Sequence, residues 1–234
     1  MNIFIDIETI PQQPEDETKA EIARTIEAPK TMSKPETIQQ WHNGEGKYAG
    51  VKDAEIEKAY RATSFDASKG EIVSISFASD EIDPVSVSRD IEITEMGVLY
   101  NAFDGIIKLL DMDHGGAKCA YFIGHYIGGF DLKFLYQRAV ILGVKPPFKL
   151  PFSGRHGIDY YDTMQAWAGY RDTISQDNLC KALGVEGKPG DIDGSKVWDF
   201  VKGGDIDRVA EYNRDDVDKV RQIYNRLNFL TTEV

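Results

Sequence analysis

The sequence is poor in the residues that bind zinc. It has 234 residues but only two cysteines, Cys119 and Cys180, and four histidines. These residues form no Cys/His cluster with the spacing of a zinc site. Each cysteine lies in an apolar context, so we expect two buried thiols.

Long apolar segments are also missing. No run approaches the ~18 consecutive apolar residues that span a bilayer. Asp6 and Glu8 interrupt the short apolar stretch at the N-terminus, and no basic segment precedes it. The N-terminus therefore does not have the pattern of a signal peptide. We expect a cytoplasmic protein with no membrane partner.

Basic residues are outnumbered by acidic ones. There are 27 Lys and Arg against 39 Asp and Glu, and the formal net charge is −12. This balance argues against tight, nonspecific binding of a phosphate backbone. It does not exclude an enzyme that acts on strand ends, because bound cations would offset part of the local negative charge.

The pattern of apolar residues predicts an α/β protein. Short runs of β-branched and aromatic residues indicate strands, and apolar side chains at helical spacing indicate helices. We predict one domain over 1–234, with a largely helical insertion at about 11–62 and a mixed sheet flanked by helices. The predicted strands are residues 2–8, 71–78, 85–89, 118–123 and 157–162, and the main helices are 94–112, 130–143 and 204–229.

Two carboxylates lie unusually close together in the first strand. Side chains alternate along a strand, so Phe4, Asp6 and Glu8 share one face. Adjacent negative charges repel, and burial increases that cost. A divalent cation would relieve both problems. The alternative is that the strand ends at Ile5 and the acids face water.

A third acid begins the helix predicted at 130–143. Asp131 precedes Phe134 by three residues and Leu135 by four, which places it on the inward stripe of the helix. The alternative is an ordinary acid at a helix N-terminus, favoured by the helix dipole.

A fourth acid lies in the apolar stripe of the last helix. Asp216 occupies a position where a core helix usually has Leu or Val, and Tyr212 lies one turn before it on the same side. Its neighbour Asp215 is expected to point away. Buried carboxylates usually have a partner, often a metal; the alternative is an Arg or Lys from elsewhere. The stripe consists of Ile206, Val209, Asn213, Asp216, Val220, Ile223 and Leu227.

Three segments together resemble the DEDD superfamily of 3′→5′ exonucleases, specifically its DEDDy branch. Phe4-Ile-Asp-Ile-Glu-Thr9 looks like the first motif, and Gly124-His-Tyr-Ile-Gly-Gly-Phe-Asp131 looks like the second. Tyr212-Asn-Arg-Asp-Asp216 matches the third. The match is nearest to stand-alone proteins related to the exonuclease domain of family B DNA polymerases, which are common among phages and bacteria. It covers most of the chain except residues 11–62.

The resemblance implies an RNase H-like α/β fold with a mixed five-stranded sheet flanked by helices. It also implies an enzyme that hydrolyses phosphodiester bonds from the 3′ end of single-stranded DNA by a two-metal-ion mechanism, in DNA replication or repair. Two divalent cations, Mg²⁺ or Mn²⁺, would be held by Asp6, Glu8, Asp131 and Asp216, and Tyr212 would orient the water. Replication proteins are candidate partners, and a bacterial or phage-infected cytoplasm is the expected location.

The resemblance also suggests residues that contact the substrate. One departure affects them, because Tyr126 stands where polymerase-type members usually have Asn. Stacking on unpaired bases is sequence-tolerant, whereas core packing is the more ordinary role of a phenylalanine. The candidate substrate contacts are Thr9, Tyr126, Phe130, Phe134 and Lys196, and further basic candidates are Arg138, Lys145, Lys149 and Arg155.

Two other functions stay open at the level of sequence. An exoribonuclease of the same fold would carry the same motifs, since nothing in them separates ribose from deoxyribose. A non-catalytic nucleic-acid-binding replication partner would keep the fold, although the presence of all four acids and Tyr212 argues against it. No polymerase-sized segment follows residue 234, so any proofreading is expected in trans.

Overall fold

The computed structural model describes residues 1–90, 92–112, 119–185 and 192–230. Its contacts divide the chain into two compact units: one joins Met1–Thr9 to Ile72–Val234, and the other is Ile10–Glu71. The count of one domain with an insertion stays a prediction. Among the described helices, none has both the length and the apolar character needed to cross a bilayer.

The first unit is built on a mixed five-stranded sheet with the strand order β3-β2-β1-β4-β5. Strand β1 pairs in parallel with β4, and β4 pairs in parallel with β5, whereas β2 and β3 are antiparallel. This order places β1 in the middle of the sheet. The strands are β1 (Asn2–Ile10), β2 (Glu71–Ala78), β3 (Val85–Ser88), β4 (Tyr121–Gly124) and β5 (Tyr160–Asp162).

Helices surround this sheet and also make up most of the second unit. Within the second unit are α1 (Glu15–Thr25), α2 (Pro35–Asn43) and α3 (Val51–Ala62). The helices of the first unit are α4 (Glu95–Met112), α5 (Asp131–Leu142), α6 (Thr163–Ala168), α7 (Gln176–Leu183), α8 (Val197–Lys202) and α9 (Ile206–Leu227).

The long helix α9 lies against one face of the sheet. Phe4 of β1 packs with Val217 and Val220 of α9 in one apolar cluster. Strand β2 presents serines rather than large side chains to this helix, and the Ser74 hydroxyl donates to the side chain of Asn213 at 2.8 Å. The Ser86 hydroxyl of β3 donates to the backbone carbonyl of Ala210 at 2.9 Å. Small polar side chains thus let α9 approach the sheet closely.

A buried ion pair joins α4 to α5. The Arg138 guanidinium donates to both carboxylate oxygens of Glu95, at 2.7 and 2.6 Å. Glu95 also accepts the backbone N–H of Ile72 at 2.9 Å. Both charged side chains are buried, so the pair is satisfied inside the protein. The expectation that Arg138 contacts phosphate is therefore wrong.

Several predicted boundaries differ from the observed ones. Strand β1 continues to Ile10, because Ile7 and Ile10 are buried with the rest of it. Strand β5 begins at Tyr160 rather than at residue 157, because a turn precedes it in which the Asp159 N–H donates to the Arg155 carbonyl at 2.9 Å. Strand β4 begins at Tyr121, and residue 118 lies outside the described residues.

The two cysteines differ in environment. Cys180 is buried, as predicted, and burial raises the pKa of its thiol to about 11. Cys119 is exposed, so the prediction of a buried thiol there is wrong. Cys119 lies two residues before the start of β4 at Tyr121, so it is not part of the buried strand that was predicted to include it.

Candidate metal centre

Two of the four predicted acids lie on the central strand. Because β1 runs unbroken from Asn2 to Ile10, Asp6 and Glu8 are within the strand, and the alternative that it ends at Ile5 is wrong. They project from the same face as Phe4, which packs beneath α9. Glu8 is 8% exposed. The strand therefore directs two carboxylates towards the last helix.

Helix α9 supplies a third carboxylate. Asp216 is 8% exposed and lies on the buried side of the helix beside Val217 and Val220. One carboxylate oxygen from each of Asp6, Glu8 and Asp216 lies within 4.8 Å of the other two. Among the described residues, no other trio of potential ligand side chains meets at this distance.

The electrostatics of this trio explain why it fits a cation. Burial raises the pKa of Asp6 well above its usual value, and the charges of Asp131, Glu8 and Asp216 raise it further. Burial and the charges of Asp216 and Asp131 act likewise on the pKa of Glu8. Without a cation the acids would reduce their repulsion by binding protons. A donor set made only of carboxylate oxygens suits a hard divalent ion such as Mg²⁺ or Mn²⁺.

Asp131 lies beside this trio rather than within it. It begins α5, is 4% exposed, and accepts the backbone N–H of Ile7 at 3.1 Å. Burial raises its pKa to about 7, while the hydrogen bonds from its own N–H and from Ile7 oppose the rise. Its charge raises the pKa of both Asp6 and Glu8. All four predicted acids therefore share one electrostatic environment.

Tyr212 lies one helical turn before Asp216, as the spacing predicted. Its hydroxyl donates a hydrogen bond to the Asp216 carboxylate. Burial raises the pKa of Asp216, and the Lys219 charge and this hydrogen bond offset only part of the rise. Burial and the negative charges of Asp216 and Glu8 raise the pKa of Tyr212 far above its usual value. The phenol therefore stays protonated at neutral pH and acts as a donor.

A lysine also contacts Asp216. The Lys219 ammonium lies 3.0 Å from Asp216 and 2.9 Å from Asp215. Burial lowers the pKa of Lys219, but Asp216 and Asp215 outweigh that effect and raise it. Asp215 is half-buried, lies outside the trio of Asp6, Glu8 and Asp216, and shares this ammonium with Asp216. Lys219 is therefore the basic partner of Asp216 that was considered as the alternative to a metal. One lysine neutralises only part of the charge of the acid cluster, so its presence does not replace a cation.

Sequence reasoning missed the role of Asn213. It is fully buried on α9, and its side-chain amide donates to Asp6 at 2.6 Å. The signal was available, because Asn213 is a polar residue within the apolar stripe of the last helix. The contact of Asn213 with β1, more than 200 residues earlier in the chain, could not be read from the sequence.

The segment of the second motif is held by a buried acid on β5. Asp162 accepts the backbone N–H of Tyr126 at 3.0 Å and also caps α6. Tyr126 has a positive φ of 60° and is 48% exposed. Its ring lies over Gly129, where a Cβ atom would come within 2.4 Å of the ring carbons. Glycine at 129 thus leaves the space that the Tyr126 ring fills.

The other predicted substrate contacts differ in accessibility. Phe130 is half-buried, and its ring packs against that of Phe134 with the centroids 5.3 Å apart and the planes tilted by 47°. Phe134 is 2% exposed and packs as core, so its expected stacking on a base is not supported. Thr9 follows Glu8 in β1 and is half-buried. Lys196 lies 3.5 Å from Asp193 and is half exposed.

A polar cavity of about 130 Å³ opens along α9, and its lining does not include the four acids. Tyr212 and Lys219 form part of its wall, and Asp193, the partner of Lys196, forms another part. The remaining lining residues are Asp177, Ile192, Arg208, Glu211 and Asp215. The side of α9 that carries Tyr212 is therefore reachable from solvent.

Comparisons with known proteins bear on this geometry. Residues 69–234 match a family described as a predicted 3′-5′ exonuclease related to the exonuclease domain of PolB. Asp131, Tyr212 and Asp216 lie inside the matched residues, and Asp6 and Glu8 precede them. No curated protein matches the sequence.

Among solved structures, the chain is similar to the family B DNA polymerase from the hyperthermophilic archaeon Pyrobaculum calidifontis. The two share 15% sequence identity, with a TM-score of 0.58. The match covers 97% of this chain and 24% of the polymerase chain, so this chain spans about a quarter of that protein's length. At this identity the likeness concerns the fold. The predicted RNase H-like fold, with a mixed five-stranded sheet flanked by helices, is confirmed.

Proposed function

The chain belongs to the family of predicted 3′-5′ exonucleases related to the exonuclease domain of PolB, as its motifs indicated, and we propose that it shortens single-stranded DNA from the 3′ end with two divalent cations. The observation that carries this proposal is the meeting of Asp6, Glu8 and Asp216 within 4.8 Å, beside Asp131. Glu8, Asp131 and Asp216 are buried and Asp6 is half-buried, and in their ionised form these four acids repel one another unless positive charge lies between them.

Each acid has a proposed part in holding the cations. Asp6, Glu8 and Asp216 would bind one ion, and Asp6 with Asp131 would hold the second. When bound, the ions activate water and stabilise the charge that develops on the phosphate. Tyr212 would orient the water through its protonated hydroxyl. Glu8 would contact the terminal 3′-hydroxyl.

The substrate would approach along the segment of the second motif. Tyr126 presents a half-exposed ring, and Phe130 immediately precedes α5. Both would stack on unpaired bases, a contact that tolerates any sequence. Thr9 and Lys196 are the remaining proposed contacts. The net charge of −12 favours weak binding at strand ends over tight binding along a duplex.

The biological setting proposed is DNA replication or repair in the cytoplasm of a bacterium or a phage-infected cell. Trimming of unpaired 3′ ends is a reaction that both processes use. Replication proteins are the proposed partners.

Digestion of a 5′-labelled single-stranded DNA oligonucleotide tests the activity. With Mg²⁺ or Mn²⁺ we expect a ladder that shortens from the 3′ end, and EDTA should abolish it. Asp216→Asn removes a proposed ligand and should lower the rate by more than about 100-fold, since loss of a mere outer-shell partner typically costs 10–100-fold. Asp207→Asn is the matched control, because Asp207 is an exposed acid on the same helix.

Intact labelled ends in the presence of either ion would contradict the proposal and favour a non-catalytic binding role. Faster shortening of an RNA oligonucleotide of the same sequence would assign the site to RNA instead. Equal rates for Asp216→Asn and Asp207→Asn would exclude Asp216 from the site.

A further inference from the structure

Asn213 lies where an apolar side chain would ordinarily fill the core. It is fully buried between α9 and the sheet, with Val217 one turn later on the same helix, also fully buried. A buried amide is costly unless its donors and acceptor are used. Here the amide is used on both sides, and one of its partners is a proposed metal ligand.

The amide links β2 to β1 through two directed hydrogen bonds. Its oxygen accepts the hydroxyl of Ser74 at 2.8 Å, and its nitrogen donates to Oδ2 of Asp6 at 2.6 Å. Ser74 is itself 3.0 Å from the hydroxyl of Ser88 on β3. Because the Ser74 proton is committed to Asn213, Ser88 must donate to Ser74. Each group in the series therefore orients the next.

The chemistry of the partners leaves the amide one orientation. In the ionised form that binds cations, the Asp6 carboxylate only accepts hydrogen bonds, so the NH₂ group of Asn213 must face Asp6 and its oxygen must face Ser74. The Asp6 carboxylate can otherwise rotate about its last side-chain bond, since that torsion is broad. Repulsion from Glu8, Asp131 and Asp216 would favour rotation away from them. The bond from Asn213 opposes that rotation.

We propose that Asn213 is a positioning residue, which holds the Asp6 carboxylate in the orientation that receives the cations and is itself oriented by Ser74. This inference rests on the proposed function, because it presumes that Asp6 binds metal. Partners that orient a metal ligand typically contribute 10–100-fold to metal affinity or activity. Asn213 does not touch the substrate or the reacting atoms in this role.

The competing explanation is that Asn213 only fastens α9 to the sheet. In that case its loss would lower the stability of the protein without changing how the folded protein binds metal. The two explanations separate when Mn²⁺ affinity is measured beside the free energy of unfolding.

Isothermal titration of the metal-free protein with Mn²⁺ provides the test. Asn213→Ala should raise the dissociation constant about 10- to 100-fold. Ser74→Ala, which leaves the amide in place but removes its orienting partner, should raise it by a smaller factor. The double variant should bind no more weakly than Asn213→Ala alone, because both changes break one series of contacts. Val217→Ala is the matched control, which should lower stability and leave Mn²⁺ affinity unchanged.

A folded Asn213→Ala protein with wild-type Mn²⁺ affinity would overturn the inference. If that variant does not fold, Ser74→Ala decides: an unchanged dissociation constant there overturns it as well. A parallel loss of affinity in Val217→Ala would show that any loosening of α9 weakens metal binding, and it would overturn the specific positioning role of Asn213. Failure of the wild-type protein to bind Mn²⁺ would instead contradict the proposed function, and this inference would fall with it.

Discussion

The backbone N–H of Ile7 donates a hydrogen bond of 3.1 Å to the Asp131 carboxylate. Ile7 is the residue between Asp6 and Glu8, so the first turn of α5 is tied to the point on β1 where the two acids project. This contact uses one oxygen of Asp131 and keeps its charge beside the other three acids. It explains how an acid from the middle of the chain acts on a strand at its start.

The raised pKa values predict how pH affects the metal-free protein. Asp131 has a folded pKa of about 7 against an ordinary value of 3.8, and the pKa values of Asp6 and Glu8 are raised as well. The folded state therefore binds more protons than the unfolded state between these values. The stabilisation of the folded state that comes from the raised pKa of Asp131 is fully present below pH 3.8 and is lost as the pH rises through about 7. We expect thermal stability from this source to fall from pH 5 to pH 8.

Metal binding should reverse that trend, because cations bind the deprotonated acids and displace protons. The rise in melting temperature caused by saturating Mn²⁺ should be larger at pH 8 than at pH 5.5. Titration calorimetry in buffers of different ionisation enthalpy would count the released protons. Asp131→Asn should reduce the difference between the Mn²⁺-induced rises in melting temperature at the two pH values. An equal rise at both pH values would contradict the assignment of these acids to one metal centre.

Substitution of Tyr212 tests its role as a neutral donor. Tyr212→Phe removes the hydroxyl that donates to Asp216 and should lower kcat about 10- to 100-fold, as for other groups that orient a metal ligand. Because the pKa of Tyr212 is raised far above its usual range, the phenol does not ionise near neutral pH. The pH–rate profiles of both proteins should therefore have the same shape up to about pH 9. A basic limb present only in the wild-type profile would identify Tyr212 as a general base.

The ion pair between Arg138 and Glu95 predicts a large effect on stability. Arg138→Ala would leave a buried carboxylate without its cation and should destabilise the protein by about 3–5 kcal/mol. Urea unfolding measures this change. Lys133→Ala, an exposed position on the same helix, should change stability by less than about 0.5 kcal/mol. If Arg138→Ala instead weakened DNA binding and left stability intact, Arg138 would be a phosphate contact after all.

The exposed ring of Tyr126 predicts an effect on substrate use. Loss of one base-stacking contact of ~1–3 kcal/mol corresponds to about a 5- to 150-fold fall in kcat/KM for Tyr126→Ala. Mn²⁺ affinity should not change, because the ring is not a ligand. Tyr136→Ala is the control, since Tyr136 is also exposed on the protein but packs on Phe152. Equal kinetics for the two variants would remove Tyr126 from the substrate path.

Local periodicity determined much of the site. The alternation of side chains along β1 placed Asp6 and Glu8 on one face, and the helical repeat placed Tyr212 one turn from Asp216. These relations hold within a few residues, so the sequence was sufficient to predict them. The same periodicity marked Phe134 as a core position. The structure places its side chain in the core, where it is not accessible for stacking on a base.

Only the tertiary structure decided which distant side chains touch. Asn213 meets Asp6 across 207 positions, and Arg138 meets Glu95 across 43. The sequence shows that each of these residues is polar and that Asn213 lies within the apolar stripe of the last helix, but several partners could satisfy each one. The choice depends on the strand order and on how closely α9 lies against the serines of β2. Backbone geometry repeats locally, whereas a contact between distant segments exists only after the whole chain has packed.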